Sequence, residues 1–306
     1  MTSLLRKVRM KTKIHAHRKV RSILDGEYGS IHKGRSMDFD DLREYVPGDD
    51  IKDLDWKATA RSGRPLIKRY VATRQHAVLL VVDTGCTMAA MSDPTSSKRD
   101  VAVMAAGVIA QLAHRHGDLT GLVAGPAPAS DTKVRNDKRI LHIPLAASDR
   151  HIERMLRVIH DAIDAEGYPS QLEDLLDYVC RSIRRRMIVV VIADDVDLSE
   201  RQQALLRRLD AQHEVLYCTV GDVTMTDPAL HGRPLRVLGA EAHIPAFFRD
   251  NVTLHDDLVE LGRRRAVQTR MTLTRLGIVG TRLSGEADIV PTMYELLERQ
   301  RHRRRT

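Results

Sequence analysis

The chain has 306 residues, 42% of them hydrophobic, 29% charged and only 4% aromatic, with a formal net charge of +8. That length and composition fit one large or two medium globular domains around an aliphatic core. No run of about 18 apolar residues occurs, which excludes a membrane-spanning helix, and Cys86, Cys180 and Cys218 are too widely spaced for a disulfide framework. A reducing, cytoplasmic setting is therefore expected. The 49 basic residues stand against 41 acidic ones, so much of the charge is expected to be paired or solvated.

Residues 1–24 are basic and weakly amphipathic, with Leu4, Leu5, Val8, Ile14, Val20, Ile23 and Leu24 among Lys and Arg. They read as a helical segment docked on the protein's own acidic surface. A nucleic-acid or membrane arm is the alternative, but the scarcity of aromatics leaves bases nothing to stack on. Residues 25–76 are rich in Asp and Arg. Pro47 and Gly48 suit the centre of a type II turn, and Asp49, Asp50, Asp53 and Asp55 surround it with Arg43, Arg61, Arg69 and the only tryptophan, Trp56. Calcium-loop spacing is absent, so a structural ion-pair cluster is expected.

From Ala77 the pattern changes. AVLLVV runs into Asp83 and a short stretch of small residues, the signature of a buried parallel strand. A helix over 97–116 follows, then strands over 119–125 and 139–146, the last a candidate antiparallel edge. A helix over 151–165 follows, and residues 167–183 offer a loop with Ser170 and then another helix. The strand over 184–197 ends in Asp194 and Asp195, its Arg184, Arg185 and Arg186 marking an exposed entrance. A helix and a strand over 213–222 complete a core placed at 77–222. Such alternation predicts a doubly wound, mostly parallel α/β sheet. Residues 223–306 form a C-terminal extension: a loop-rich stretch with a short strand near 235–238, a helix over 256–274, a last short strand in GIVGTRL, and a helix ending in a solvated basic tail.

In open α/β sheets ligands bind at the carboxyl ends of strands, which is where Asp83 falls, with Thr87 four residues on in the same crevice. DTG at 83–85 matches the aspartic-protease triplet, but that chemistry needs a second aspartate on an all-β scaffold. D-x-G-x-T resembles a phosphotransferase nucleophile loop whose general acid would be Gly85, which disables it. There is no phosphate-cradling G-x-x-x-x-G-K-[ST], no H-E-x-x-H and no zinc spacing. Cys86 reads as a small buried residue.

The stretch FDDLREYVPGDDIKDLDWKATARSGRPLIKRY, followed by a strand ending in VVDTGCTM, resembles the bacterial "domain of unknown function 58" family (DUF58), which joins such a segment to a von Willebrand factor A-like domain. The resemblance is dense over 34–88, and the later element order agrees. It implies a divalent-cation site for Mg²⁺ or Mn²⁺, with ligands from Asp83, Thr87, Ser170 and Asp194. Gly85 stands where a hydroxyl ligand is expected, so the site is degenerate unless a water replaces it. The resemblance further implies a non-catalytic adaptor that partners a MoxR-type AAA+ ATPase in chaperone-like remodelling of client proteins. The rival classes are a metal-dependent hydrolase using Asp83 and Asp194, and nucleic-acid binding through the basic ends. Steep salt dependence would mark the latter; specific nucleic-acid binding is not expected.

Overall fold

A computed structural model describes residues 3–16, 33–46, 49, 51–73, 76–127, 139–236, 238, 245, 247 and 252–303. The chain divides into two compact units, residues 25–75 and the remainder. Pro47, Gly48, Asp50 and most of 223–251 beyond residue 236 lie outside the described residues, as do the expected type II turn and the end of the basic tail.

The smaller unit is an antiparallel hairpin of β1 (Lys33–Glu44) and β2 (Leu66–Thr73), with Arg43 opposite Ile67 and Glu44 opposite Leu66. Between the strands lies helix α2 (Trp56–Ser62). Asp55 caps it, accepting from the N–H groups of Lys57 and Ala58 at 3.0 Å, which satisfies two of the donors a helix start leaves open. Gly63 closes it at φ 71°. Arg43 pairs with Asp49 at 2.6 Å, and Trp56 is 68% exposed. Of the acids expected to form one ion-pair cluster, Asp49 does so and Asp55 is a helix cap.

In the larger unit the sheet order is β5-β4-β3-β6-β7-β8: β3 (Ala77–Asp83), β4 (Leu119–Gly125), β5 (Leu141–Ala146), β6 (Ile188–Asp194), β7 (Glu214–Val220) and β8 (Val279–Leu283). All neighbours are parallel except β4 with β5, the antiparallel edge. The fold is thus the doubly wound, mostly parallel α/β class that the sequence pattern predicts, although its sixth strand comes from 279–283, beyond the expected core.

Alternation explains why the strands read as continuous apolar runs. Ala77, Leu79 and Val81 of β3 join Val189, Val191 and Ala193 of β6 against α5 (Leu172–Ser182) and α6 (Glu200–Gln212). The intervening side chains point to the other face, which α3 (Lys98–Arg115) covers. Both faces are dry, so both sets must be apolar. Helices α4 (Asp149–Ala162), α7 (Val252–Leu276) and α8 (Ile289–Arg303) complete the unit.

The N-terminal helix, α1 (Leu4–Ala16), is docked on acidic groups of this unit, as its sequence suggests. Glu153 accepts from the Ser3 hydroxyl at 2.8 Å and from the Leu4 and Leu5 N–H groups at 3.2 and 2.9 Å, so a distant carboxylate caps the helix start. Val8 is fully buried against Gly107 of α3, where a Cβ would come within 2.5 Å of its side chain. Burial pushes the Glu153 carboxyl up, but these donors and Arg157 outweigh it and hold it below its ordinary value. Its stabilising effect is therefore present above the unfolded-state pKa and is lost as pH falls through the lower folded value. Glu153→Ala should raise amide exchange over residues 4–12 by an opening free energy reduced by about 1–3 kcal/mol, leaving β3 and β6 protected; unchanged exchange in α1 would refute the cap.

Candidate functional site

The site lies at the switch point of the sheet. From β3 the chain crosses over one face through α3, and from β6 it crosses over the other through α6, so a crevice opens between the carboxyl ends of β3 and β6. Asp83 ends β3 and is 1% exposed. Its Oδ1 accepts from the Gly85 N–H at 2.9 Å and its Oδ2 from the Ser170 hydroxyl at 2.5 Å. Burial is the main cause that pushes the Asp83 pKa up to about 6; the hydrogen bonds from Ser170 and Gly85 oppose it, as does Lys98, while Asp194 adds to it.

Asp194 ends β6 but does not join Asp83. The register sets Val82 beside Ile192, so Asp83 lies level with Ala193, and Asp194 is one residue farther with its side chain on the opposite pleat face. There it meets α3: Asp194 Oδ1 accepts from the Lys98 ammonium and from the Asp195 N–H at 2.6 Å. The Lys98 ammonium also donates to Asp222 at 2.7 Å. Asp222 follows β7; its side chain is 51% exposed, and burial raises its pKa against the lowering effect of Lys98. Asp195 is paired with Arg282 of β8 at 2.7 Å.

Of the four residues predicted as ligands, the structure brings Asp83 and Ser170 into contact and turns Asp194 to Lys98. Thr87 offers a buried hydroxyl oxygen with no hydrogen-bond partner, as does Tyr217, whose phenol burial holds well above its ordinary pKa. That orphan oxygen suits a cation, but the rest of the donor set does not. Both Asp83 oxygens already accept a hydrogen bond, and Asp194 already faces an ammonium.

Gly85 also has a different role from the one its spacing suggests. A Cβ there would stand 2.6 Å from both the Cα and the backbone N of Ser170. The Cys86 N–H donates to the Tyr168 carbonyl at 2.8 Å, so the 168–170 loop lies directly against this position. The missing side chain is space for that loop rather than a vacated ligand. Lys98 and Asp222 were not singled out by the sequence. A lysine just after the cap Ser97 reads as solvated, and only the alignment of β6, β7 and α3 shows otherwise.

The family model "Protein of unknown function DUF58" matches residues 41–232. An uncharacterized protein of Mycobacterium tuberculosis and its counterpart in Mycobacterium bovis are each 26% identical over 271 residues, covering 85% of this chain and 78% of theirs. Among solved structures, an aerotolerance-related membrane protein from Bacteroides fragilis aligns with TM-score 0.43 and 13% identity over 73% of this chain and 99% of its own. A von Willebrand factor type A protein from Catenulispora acidiphila aligns with TM-score 0.41 and 9% identity over 90% of this chain and 52% of its own.

Two outcomes follow from this geometry. Gly85→Ala should destabilise the chain by about 1–3 kcal/mol in urea unfolding, because backbone atoms of the 168–170 loop must give way; a neutral substitution would contradict the close approach. Asp83 binds its proton more tightly folded than unfolded, so its charge costs stability as pH rises from about 4 to about 6 and at all higher pH. Relative to wild type, Asp83→Asn should therefore gain stability across that window, on the order of 3 kcal/mol in all; a difference that does not change with pH would contradict the assignment.

Proposed function

The chain belongs to the DUF58 family, and from that premise we propose that it is a non-catalytic adaptor whose docking surface is the rim of this crevice, with a MoxR-type AAA+ ATPase as partner in remodelling client proteins. One observation carries the reading. The acid crevice runs into a groove of about 540 Å³ that shares Asp195, Asp222 and Arg282 with it and is lined by Met225, Leu258 and Val259. Apolar side chains set among charged groups are the composition of a protein-interaction surface.

The other side of the rim supports the same reading. Tyr168 is 39% exposed beside Ser170, with the Arg139 guanidinium 5.0 Å from its ring centre, and Val196 is exposed just beyond β6. Tyrosine and arginine are the residue types that most often dominate binding energy. The acids inside are each held by fixed partners, which gives a partner a rigid surface to meet. Among the described residues no helix is long and apolar enough to cross a membrane, and a cytoplasmic location accords with the reading.

Val259→Asp and Tyr168→Ala should each weaken binding to a MoxR-type ATPase by about tenfold or more in biolayer interferometry, with thermal stability kept. Binding unaffected by both would overturn the docking surface. Turnover of a phosphoester or peptide that Asp83→Ala abolishes would replace the adaptor reading with a metal-dependent hydrolase.

A further inference from the structure

We infer that the Lys98 ammonium is the resident cation of the crevice, standing in for the divalent ion that a von Willebrand A-like site would hold, so that the site works without Mg²⁺ or Mn²⁺. The inference concerns the crevice on which the adaptor reading rests, but it does not depend on the partner's identity.

Lys98 is 0% exposed and is the first residue of α3. A cation there faces the positive end of the helix dipole and has lost its water, so two penalties must be offset by oxygen ligands. Asp194 and Asp222 supply them from the ends of two adjacent strands. The residue is anchored through its backbone: the Lys98 N–H donates to the Ala90 carbonyl at 2.8 Å, and Ser97 caps the helix immediately before it. Its side chain is fully buried at the start of α3.

A hard divalent ion would seek the same carboxylate oxygens. Bound to Asp194 it would stand in contact with the ammonium, like charge against like charge in a place with little water. On the other pleat face, Asp83 has committed one oxygen to Gly85 and the other to Ser170, and it lies a strand row away from Asp194. The carboxylates that could share an ion are thus divided between the two faces, and the face bearing two of them already holds a positive charge. With no metal there is no open coordination position for a partner's carboxylate. What the crevice presents at its mouth is the half-exposed Asp222.

The test is a calorimetric Mn²⁺ titration of the full chain, paired with thermal unfolding in Mn²⁺ and in EDTA. Wild type should give no saturable heat at millimolar Mn²⁺ and the same midpoint in both buffers. Lys98→Met should unfold several degrees lower in EDTA and recover in Mn²⁺, because the carboxylate pair left without its cation then gains a divalent ion. Lys98→Met with Asp194→Asn should fold in EDTA and ignore Mn²⁺. Saturable binding to wild type that Asp83→Ala removes would overturn the inference, as would a Lys98→Met chain as stable as wild type and indifferent to Mn²⁺. If Lys98→Met does not fold, the wild-type titration decides alone. None of these readings involves an ATPase, so failure here leaves the adaptor reading standing, and failure of ATPase binding leaves this one standing.

Discussion

The contact of the Lys98 ammonium with Asp194 and Asp222 ties the start of α3 to the top of the sheet. A buried ammonium without partners is disfavoured by several kcal/mol, so α3 can start where it does only if β6 and β7 end where they do. The same contact works in reverse, since Asp194 at 4% exposure needs a cation as much as Lys98 needs an anion. Three elements far apart in sequence are thereby fixed in one arrangement. Apolar packing sets strand order and helix placement to within the tolerance of aliphatic side chains; this polar cluster adds a directional contact between them.

The crevice follows from topology and pleat. Crossovers leave β3 and β6 on opposite faces, which parts the loops above the sheet. The pleat then assigns Asp83 to the α5 face, where the 168–170 loop meets it, and Asp194 to the α3 face. A sequence motif counts residues and does not see this division. Two acids at the ends of neighbouring strands look like one site when written in a line, yet a one-row offset in a parallel register separates them.

That difference marks how far the sequence can be read. The strands were legible because continuous apolar runs such as 78–82 and 188–192 satisfy two dry faces, and because Asp83 and Asp194 mark where they end. The N-terminal helix was legible from its spacing, and its docking from its charge. The hairpin of β1 and β2 was not, since in KGRSMDFDDLRE the alternation is confined to MDFD and no β-branched run accompanies it. Of the site, Asp83 and Ser170 were legible as neighbours. Gly85 was legible as unusual, but its reason is the backbone of Ser170 at 2.6 Å, a tertiary fact. Lys98 looked like any lysine in a first helical turn, and its burial appears only once Asp194 and Asp222 stand beside it.

The most direct test of the account is anomalous diffraction from crystals of the wild-type chain grown with Mn²⁺. It predicts no anomalous peak in the crevice, with the Lys98 nitrogen between the carboxylates of Asp194 and Asp222. A strong peak bridging Asp83, Thr87 and Asp194, with Lys98 displaced, would contradict it.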